Sequence, residues 1–166
     1  KETEKSKRES EQCRKIFLLA ASGWLPAIFA DICEKSEVKA IVDHAVERFG
    51  RLDCMFNNAG FARAHGGIAE ISVEDWDSHM AVLLRGVFLG MKHAAPVMKR
   101  QAYGSIINTA SVAGIQTGYA GHIYSAAKAG VIHLTRCVAM ELGEAGVRVN
   151  CICPGGIATP IFGRAF

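Results

Sequence analysis

The sequence predicts an α/β fold built on a doubly wound parallel sheet, and three observations carry that expectation. Short apolar, β-branched runs (27–30, 52–56, 105–109 and 147–153) alternate with helix-period stretches from Ala27 onward, which is the pattern of repeated βαβ units with helices on both faces of the sheet. Glycine, proline and asparagine stand at the junctions, so the runs are separate elements. Four strand exits carry small or polar residues: Asp31; Asn58, Ala59 and Gly60; Ser111; and Pro154, Gly155 and Gly156. In open parallel sheets ligands bind beyond the carboxyl ends of the strands, so these exits are where a site is expected.

The chain of 166 residues has the size of one domain, and half of its residues are hydrophobic, enough for a core. Net charge is +3 with lysine and arginine interspersed among acids, which leaves no basic stripe for nucleic acid or a membrane surface. No apolar run reads as long enough to span a bilayer, and nothing near the N-terminus resembles a signal peptide. Six cysteines are present without a Cys-x-x-Cys pair, and Cys151 and Cys153 fall in an apolar strand, where small core residues are expected rather than metal ligands. The six histidines show no ligand spacing either, so no metal site is expected. A reducing, cytoplasmic setting follows as the default.

Residues 1–15 are almost all polar with both signs of charge and read as a frayed tail or solvated helix. A short apolar run, 16–21, ends at Ser22 and Gly23, and a second strand over 27–30 finishes at Asp31. Val38, Ile41, Val42, Ala45, Val46 and Phe49 form one stripe of an amphipathic helix over 36–49, with Gly50 placed as its C-terminal cap. A buried strand over 52–56 runs into the turn Asn57-Asn58-Ala59-Gly60. Ser72-x-x-Asp75 marks a helix start, and the helix runs to about Lys99, with Pro96 expected to kink or end it. Trp76 reads as a packing residue. The strand at Ile106 and Ile107 leads through Ser111 and a glycine-marked loop to a second long helix, and a last strand over 147–153 is broken by Pro154.

That second helix holds Tyr124 and Lys128, four apart and therefore on one face. A free phenol titrates near ~10, and an ammonium one turn away favours the phenolate and lowers that value. Ser111, at the preceding strand end, is placed to hold a substrate oxygen beside the phenol. Together the three read as a general acid/base site for a carbonyl or an alcohol. A Tyr-x-x-x-Lys pair by itself is also common helix surface, and it is the strand-exit context that raises it.

With these residues the chain resembles the short-chain dehydrogenase/reductase family over roughly 27–166. The resemblance rests on Asn57-Asn58-Ala59-Gly60, on Ser111 thirteen residues before Tyr124, on Tyr124-x-x-x-Lys128, and on Pro154-Gly-Gly-Ile-Ala-Thr-Pro160. It implies a Rossmann-like doubly wound sheet and an NAD- or NADP-dependent oxidoreductase that interconverts a secondary alcohol and a ketone by hydride transfer. Tyr124 would be the acid/base, Lys128 would tune it and hold the nicotinamide ribose, and Ser111 would orient the substrate oxygen. Asn58, Ala59 and Gly60 would line the cofactor, Asp31 and Ile32 would meet the adenine, and Pro154, Gly155, Ile157 and Thr159 would flank the nicotinamide. Helices near 73–99 and 119–142 would pair subunits into a homodimer or tetramer.

The chain departs from the family's pattern in two ways. The glycine-rich phosphate turn is replaced by Ala20-Ala21-Ser22-Gly23, and the first βαβ unit and the C-terminal strand are expected to be missing, so the fold is expected to be incomplete: an atypical polar segment over 1–26, then a partial catalytic domain over 27–166. Leu83 stands where the family often has an asparagine of its proton relay, and leucine can neither donate nor accept a hydrogen bond. The alternative expectation is a non-catalytic remnant that serves as an oligomerisation partner.

Overall fold

A computed structural model describes residues 15–17, 29–63 and 66–159 of the chain. The polar tail over 1–14, the Ala20-Ala21-Ser22-Gly23 turn and the expected strand start at Ala27 lie outside the described residues. Element order is β1 (Lys15–Phe17), β2 (Phe29–Asp31), α1 (Lys35–Phe49), β3 (Cys54–Asn57), α2 (Val73–Met80), α3 (Gly86–Gln101), β4 (Gly104–Thr109), α4 (His122–Gly143) and β5 (Val147–Ile152).

Three strands make the central sheet, parallel and in the order β3-β4-β5, with Met55 opposite Ile106 and Ile106 opposite Val149. Strand β2 does not join it. It pairs antiparallel with β1, Ala30 opposite Ile16, in a separate two-stranded ribbon. The alternation of elements made β2 look like the first parallel strand, but three residues of β2 find their backbone partners in β1 instead.

Burial alternates along each parallel strand. Met55, Asn57, Ile106, Asn108, Val147 and Val149 are buried, while Cys54, Phe56, Arg148, Asn150 and Ile152 are exposed. The buried set packs with Val42 and Ala45 of α1, Val87, Met91, Ala94 and Met98 of α3, and Val131, Ile132 and Leu142 of α4. Helices therefore cover one face of the sheet among the described residues, and the doubly wound arrangement is represented by half of its layers.

Local signals explain the helices. In α1 the stripe Val38, Ile41, Val42 and Ala45 is buried, Phe49 at its end is half exposed, and Gly50 closes the helix at φ 73°, its N–H donating to the Val46 carbonyl at 2.8 Å. Ser72 caps α2 by accepting the Asp75 N–H at 3.0 Å. Helices α2 and α3 run on through a π turn, Ala81–Arg85, in which the Gly86 N–H reaches back five residues to the Ala81 carbonyl. Pro96 does not end α3, which continues to Gln101. Both Pro96 and Lys92, whose carbonyl loses its donor, face solvent, where water replaces the missing bond. Trp76 is 39% exposed and is not the packing residue expected. The stretch Val73–Gln101 is, contrary to the expectation, long and apolar enough to cross a membrane, at a mean hydropathy of 1.2. Its apolar side packs on β3, β4, α1 and α4, as a core helix does.

Candidate active site

The site forms where β3, β4 and β5 end. Strand β4 delivers Thr109 and then Ser111, whose hydroxyl accepts the Ala113 N–H at 3.2 Å and starts a 3-10 turn, Val112–Gly114. That turn lies against α4: a Cβ on Gly114 would stand 2.6 Å from the Lys128 carbonyl carbon, so only glycine permits the approach. Strand β5 continues the ladder past its end, with Ala110 N–H bonded to the Ile152 carbonyl (2.8 Å) and Val112 N–H to the Pro154 carbonyl (3.0 Å).

Ser111, Tyr124 and Lys128 line one open cavity of about 510 Å³, together with Asn58, Gly60, Pro154, Gly155, Ile157 and Thr159. A cavity of this size falls within the usual ~300–1,000 Å³ of small-molecule sites. Ala59 stands beside it, packed on the second core cluster. Asp31 and Ile32 do not line it. The Asp31 carboxylate accepts the Cys33 N–H at 2.8 Å in the turn before α1, and Ile32 is buried with Phe61, Val82 and Leu83. Of the sequence-predicted residues, the structure thus gathers those of the catalytic and nicotinamide groups and leaves the adenine pair apart.

Lys128 is 3% exposed, and its ammonium sits 5.5 Å above the Tyr124 ring and donates to the Thr109 carbonyl at 2.7 Å. Burial pushes its pKa down to about 8, with Cys153 opposing. The Tyr124 phenol is pushed up from its ordinary value by burial, and a hydrogen bond from Ser111 pulls the other way. Spacing alone had Lys128 lowering the phenol. In the structure burial is the largest influence on both groups, so the phenol is raised rather than lowered.

Asn108, Thr135 and Tyr119 had no sequence signal strong enough to single them out, and they join Asn57 around the site. The Asn57 side-chain amide donates to Asn108 Oδ1 at 2.8 Å, and Asn108 Nδ2 donates to the Thr135 hydroxyl at 2.9 Å, which donates to the Val131 carbonyl at 2.6 Å. This buried chain ties β3, β4 and α4 together one residue below Asn58 and Thr109, which are themselves joined at 2.8 Å. Tyr119 also lines the cavity. The polar interruption of an apolar strand by Asn108 was the available clue. Leu83 is fully buried in the π turn and faces Gly60. Among the described residues no group of three or more potential ligands could hold a metal.

A hydroxyl, a phenol and a buried ammonium thus meet in one cavity at the exit of a parallel sheet in an α/β fold. The family model described as Enoyl-(Acyl carrier protein) reductase matches residues 5–165. Momilactone A synthase of Oryza sativa subsp. japonica is 46% identical over 135 residues, covering 81% of this chain and 49% of that protein. Levodione reductase of Leifsonia aquatica is 42% identical over 137 residues, with 80% and 49% covered. A crystal structure of levodione reductase superposes with a TM-score of 0.77 at 41% identity, covering 80% of this chain and 52% of the other. NAD+-bound xylitol dehydrogenase gives 0.74 at 33% identity, covering 77% and 49%. The chain belongs to the short-chain dehydrogenase/reductase family, and it spans about half the length of the curated relatives it matches.

Proposed function

We propose that the chain carries the catalytic part of an NAD- or NADP-dependent oxidoreductase that interconverts a secondary alcohol and a ketone. The observation that carries this reading is the convergence of Ser111, Tyr124 and Lys128 on one cavity, with the ammonium 5.5 Å from the phenol ring. The residues present fit a nicotinamide cofactor at its ribose end. Lys128 supplies a cationic donor, Gly60 keeps the floor open, and Pro154, Gly155, Ile157 and Thr159 form the rim. Asp31 and Ile32 would serve the adenine end, and Asn58, Ala59 and Gly60 the sheet side. When bound, the nicotinamide would exchange a hydride with the substrate carbon.

The chain's own residues then handle the proton. Ser111 donates to the substrate oxygen. The Tyr124 phenol, kept protonated by burial, gives its proton to that oxygen in reduction and takes it back in oxidation. Lys128 stabilises the phenolate left behind, and the Thr109 carbonyl holds Lys128 in place. Leu83 removes one side-chain route by which protons could return, so proton recovery depends on the open mouth of the cavity.

Association belongs to the same proposal. A groove of about 890 Å³ between the α2–α3 helix and α4 is lined by Met80, Leu84, Phe88 and Leu134, and Phe88 is 44% exposed. These helices would pair copies of the chain, as a dimer or tetramer, in a cytoplasmic setting. The uncovered sheet face favours a second reading, in which the chain acts as a non-catalytic partner within such an assembly.

The test is a titration of the purified, folded chain with NADH and NADPH, followed by fluorescence and calorimetry. Saturable binding of one of them that Lys128→Met weakens, and turnover that Tyr124→Phe abolishes, is the expected result. A folded chain that binds neither retires the enzyme reading in favour of the partner reading.

A further inference from the structure

We infer that the cavity selects an uncharged, largely hydrocarbon ketone or alcohol, and that Tyr119 is the aromatic wall that determines this specificity. The inference rests on the alcohol–ketone reading above for the reacting group and concerns the rest of the substrate.

The cavity lining divides by role. Ser111, Tyr124 and Lys128 serve proton transfer, and Asn58, Gly60, Pro154, Gly155, Ile157 and Thr159 serve the nicotinamide end. Thr109 uses its hydroxyl on Asn58 and its carbonyl on Lys128, and Gly156 has no side chain to offer. The side chains that remain to meet a substrate are Ala62, Ala110, Val112, Ala120 and Ile152, all apolar, and the Tyr119 phenol.

Charge points the same way. Among the described residues no Asp, Glu, Arg or His lines the cavity, and its one cation, Lys128, is 3% exposed and bound to the Thr109 carbonyl. The loop that brings Ala62 to the cavity also carries Arg63, but that guanidinium turns to the Asp75 carboxylate at 3.7 Å. A substrate carboxylate or phosphate would shed water here without a described counter-ion to replace it.

Tyr119 is placed by its neighbours. Gly118 precedes it at φ 89°, a left-handed turn that glycine takes at little cost. Gly121 caps α4 two residues later, and the Ser125 hydroxyl donates to the Ala120 carbonyl at 3.3 Å. The ring therefore stands at the cavity wall on a fixed stretch of backbone, yet Tyr119 is 54% exposed, so much of the ring has no protein cover. Ile152, at the end of β5, lines the same cavity and is also exposed. Uncovered apolar surface around a cavity with few polar groups suits a hydrocarbon skeleton, which an aromatic face packs well.

Two probes of like shape test this: cyclohexanone bearing an isopropyl group across the ring, and the same ketone bearing a carboxylate there. Binding of each to the full chain is measured by ligand-observed NMR, alone and with NADH or NADPH, and reduction is followed in the same samples. The isopropyl ketone is expected to bind at least ~10-fold more tightly than the carboxylate ketone. Tyr119→Ala should weaken the isopropyl ketone ~3–10-fold, and Tyr119→Phe, which keeps the ring, should restore it. In turnover, Tyr119→Ala should raise KM for that ketone and leave kcat within about twofold, a split that general loss of structure would not produce. The inference is overturned if the carboxylate ketone binds as tightly as the isopropyl ketone, if the isopropyl ketone does not bind saturably, or if Tyr119→Ala leaves its affinity unchanged. Selective ketone binding by a chain that takes neither NADH nor NADPH retires the enzyme reading alone. Cofactor-dependent reduction that prefers the carboxylate ketone retires this inference alone.

Discussion

Replacing Asn108 by alanine tests whether the buried polar chain holds the site together. Asn108 is fully buried and makes three side-chain bonds, accepting from Asn57 at 2.8 Å and donating to the Thr135 hydroxyl at 2.9 Å and to the Met91 sulfur, a weak acceptor, at 3.3 Å. Each of the two bonds to oxygen or nitrogen partners contributes about 1 kcal/mol net, so those two contribute ~2 kcal/mol. Truncation also leaves the Asn57 amide donor buried at 7% exposure with that bond unmade, which costs a further ~1–3 kcal/mol. The sum is ~3–5 kcal/mol, a large share of the ~5–15 kcal/mol available to a domain of this kind. Urea unfolding followed by circular dichroism measures it. The double variant Asn57→Ala/Asn108→Ala should cost less than the sum of the singles by ~1–2 kcal/mol, because the two residues share one bond. A loss under ~0.5 kcal/mol for Asn108→Ala, or strict additivity in the double variant, would refute the claim that this chain aligns β3, β4 and α4.

Four other outcomes are expected. Lys128→Met should stabilise the fold at pH 7: the pKa of Lys128 falls from 10.5 to about 8, so below pH 8 the buried charge costs ~3 kcal/mol. Between those values the unfolded chain holds a proton the folded chain has released, so stability of the native sequence rises with pH across that window. The gain from Lys128→Met should therefore shrink as pH approaches 10.5, and a gain independent of pH would contradict the assignment. Tyr124→Phe should lower turnover by ~10²–10⁴-fold with cofactor affinity nearly unchanged, read by steady-state kinetics beside a binding titration. Gly114→Ala should destabilise by ~1–3 kcal/mol, since its methyl meets the α4 backbone, which cannot swing aside as a side chain can; unchanged thermal stability would show that the turn relaxes freely. Leu83→Asn, in a form of the protein that turns over, should raise the rate if the missing amide limits proton return, and no rise at all removes that idea.

What was legible in the sequence was whatever repeats or punctuates. The period of Val38, Ile41, Val42 and Ala45, the Ser72 cap and the left-handed Gly50 are local, and each formed as expected. The order Asn58, Ser111, Tyr124, Lys128, Pro154 was legible as well, because a parallel sheet brings every strand exit to one edge, whatever the lengths between them. Non-local choices were not. Whether β2 pairs with β1 or with the parallel sheet is decided by which backbone partner is in reach, and three residues carry no period that records it. Pro96 looked like a break because its effect depends on whether the orphaned carbonyl faces water, a fact of packing.

The electrostatics of the site were hidden for the same reason. A lysine four residues from a tyrosine fixes their separation along the helix, so the sign of their interaction can be read from the sequence. Its outcome cannot, because the α4 face they share is pressed under the Val112–Gly114 turn and both groups lose water together. Desolvation then raises the phenol and lowers the ammonium, so the phenol holds its proton more tightly than the lysine does, the opposite of the order that spacing alone implies. The Thr109 carbonyl accepts from the Lys128 ammonium, and the Thr109 hydroxyl donates to Asn58, which fixes where the ammonium stands. The α4 face that carries Tyr124 and Lys128 is thus set by the strand exits of β3 and β4, which is why a change at Asn108, in the core and away from the cavity lining, is expected to reach the cavity.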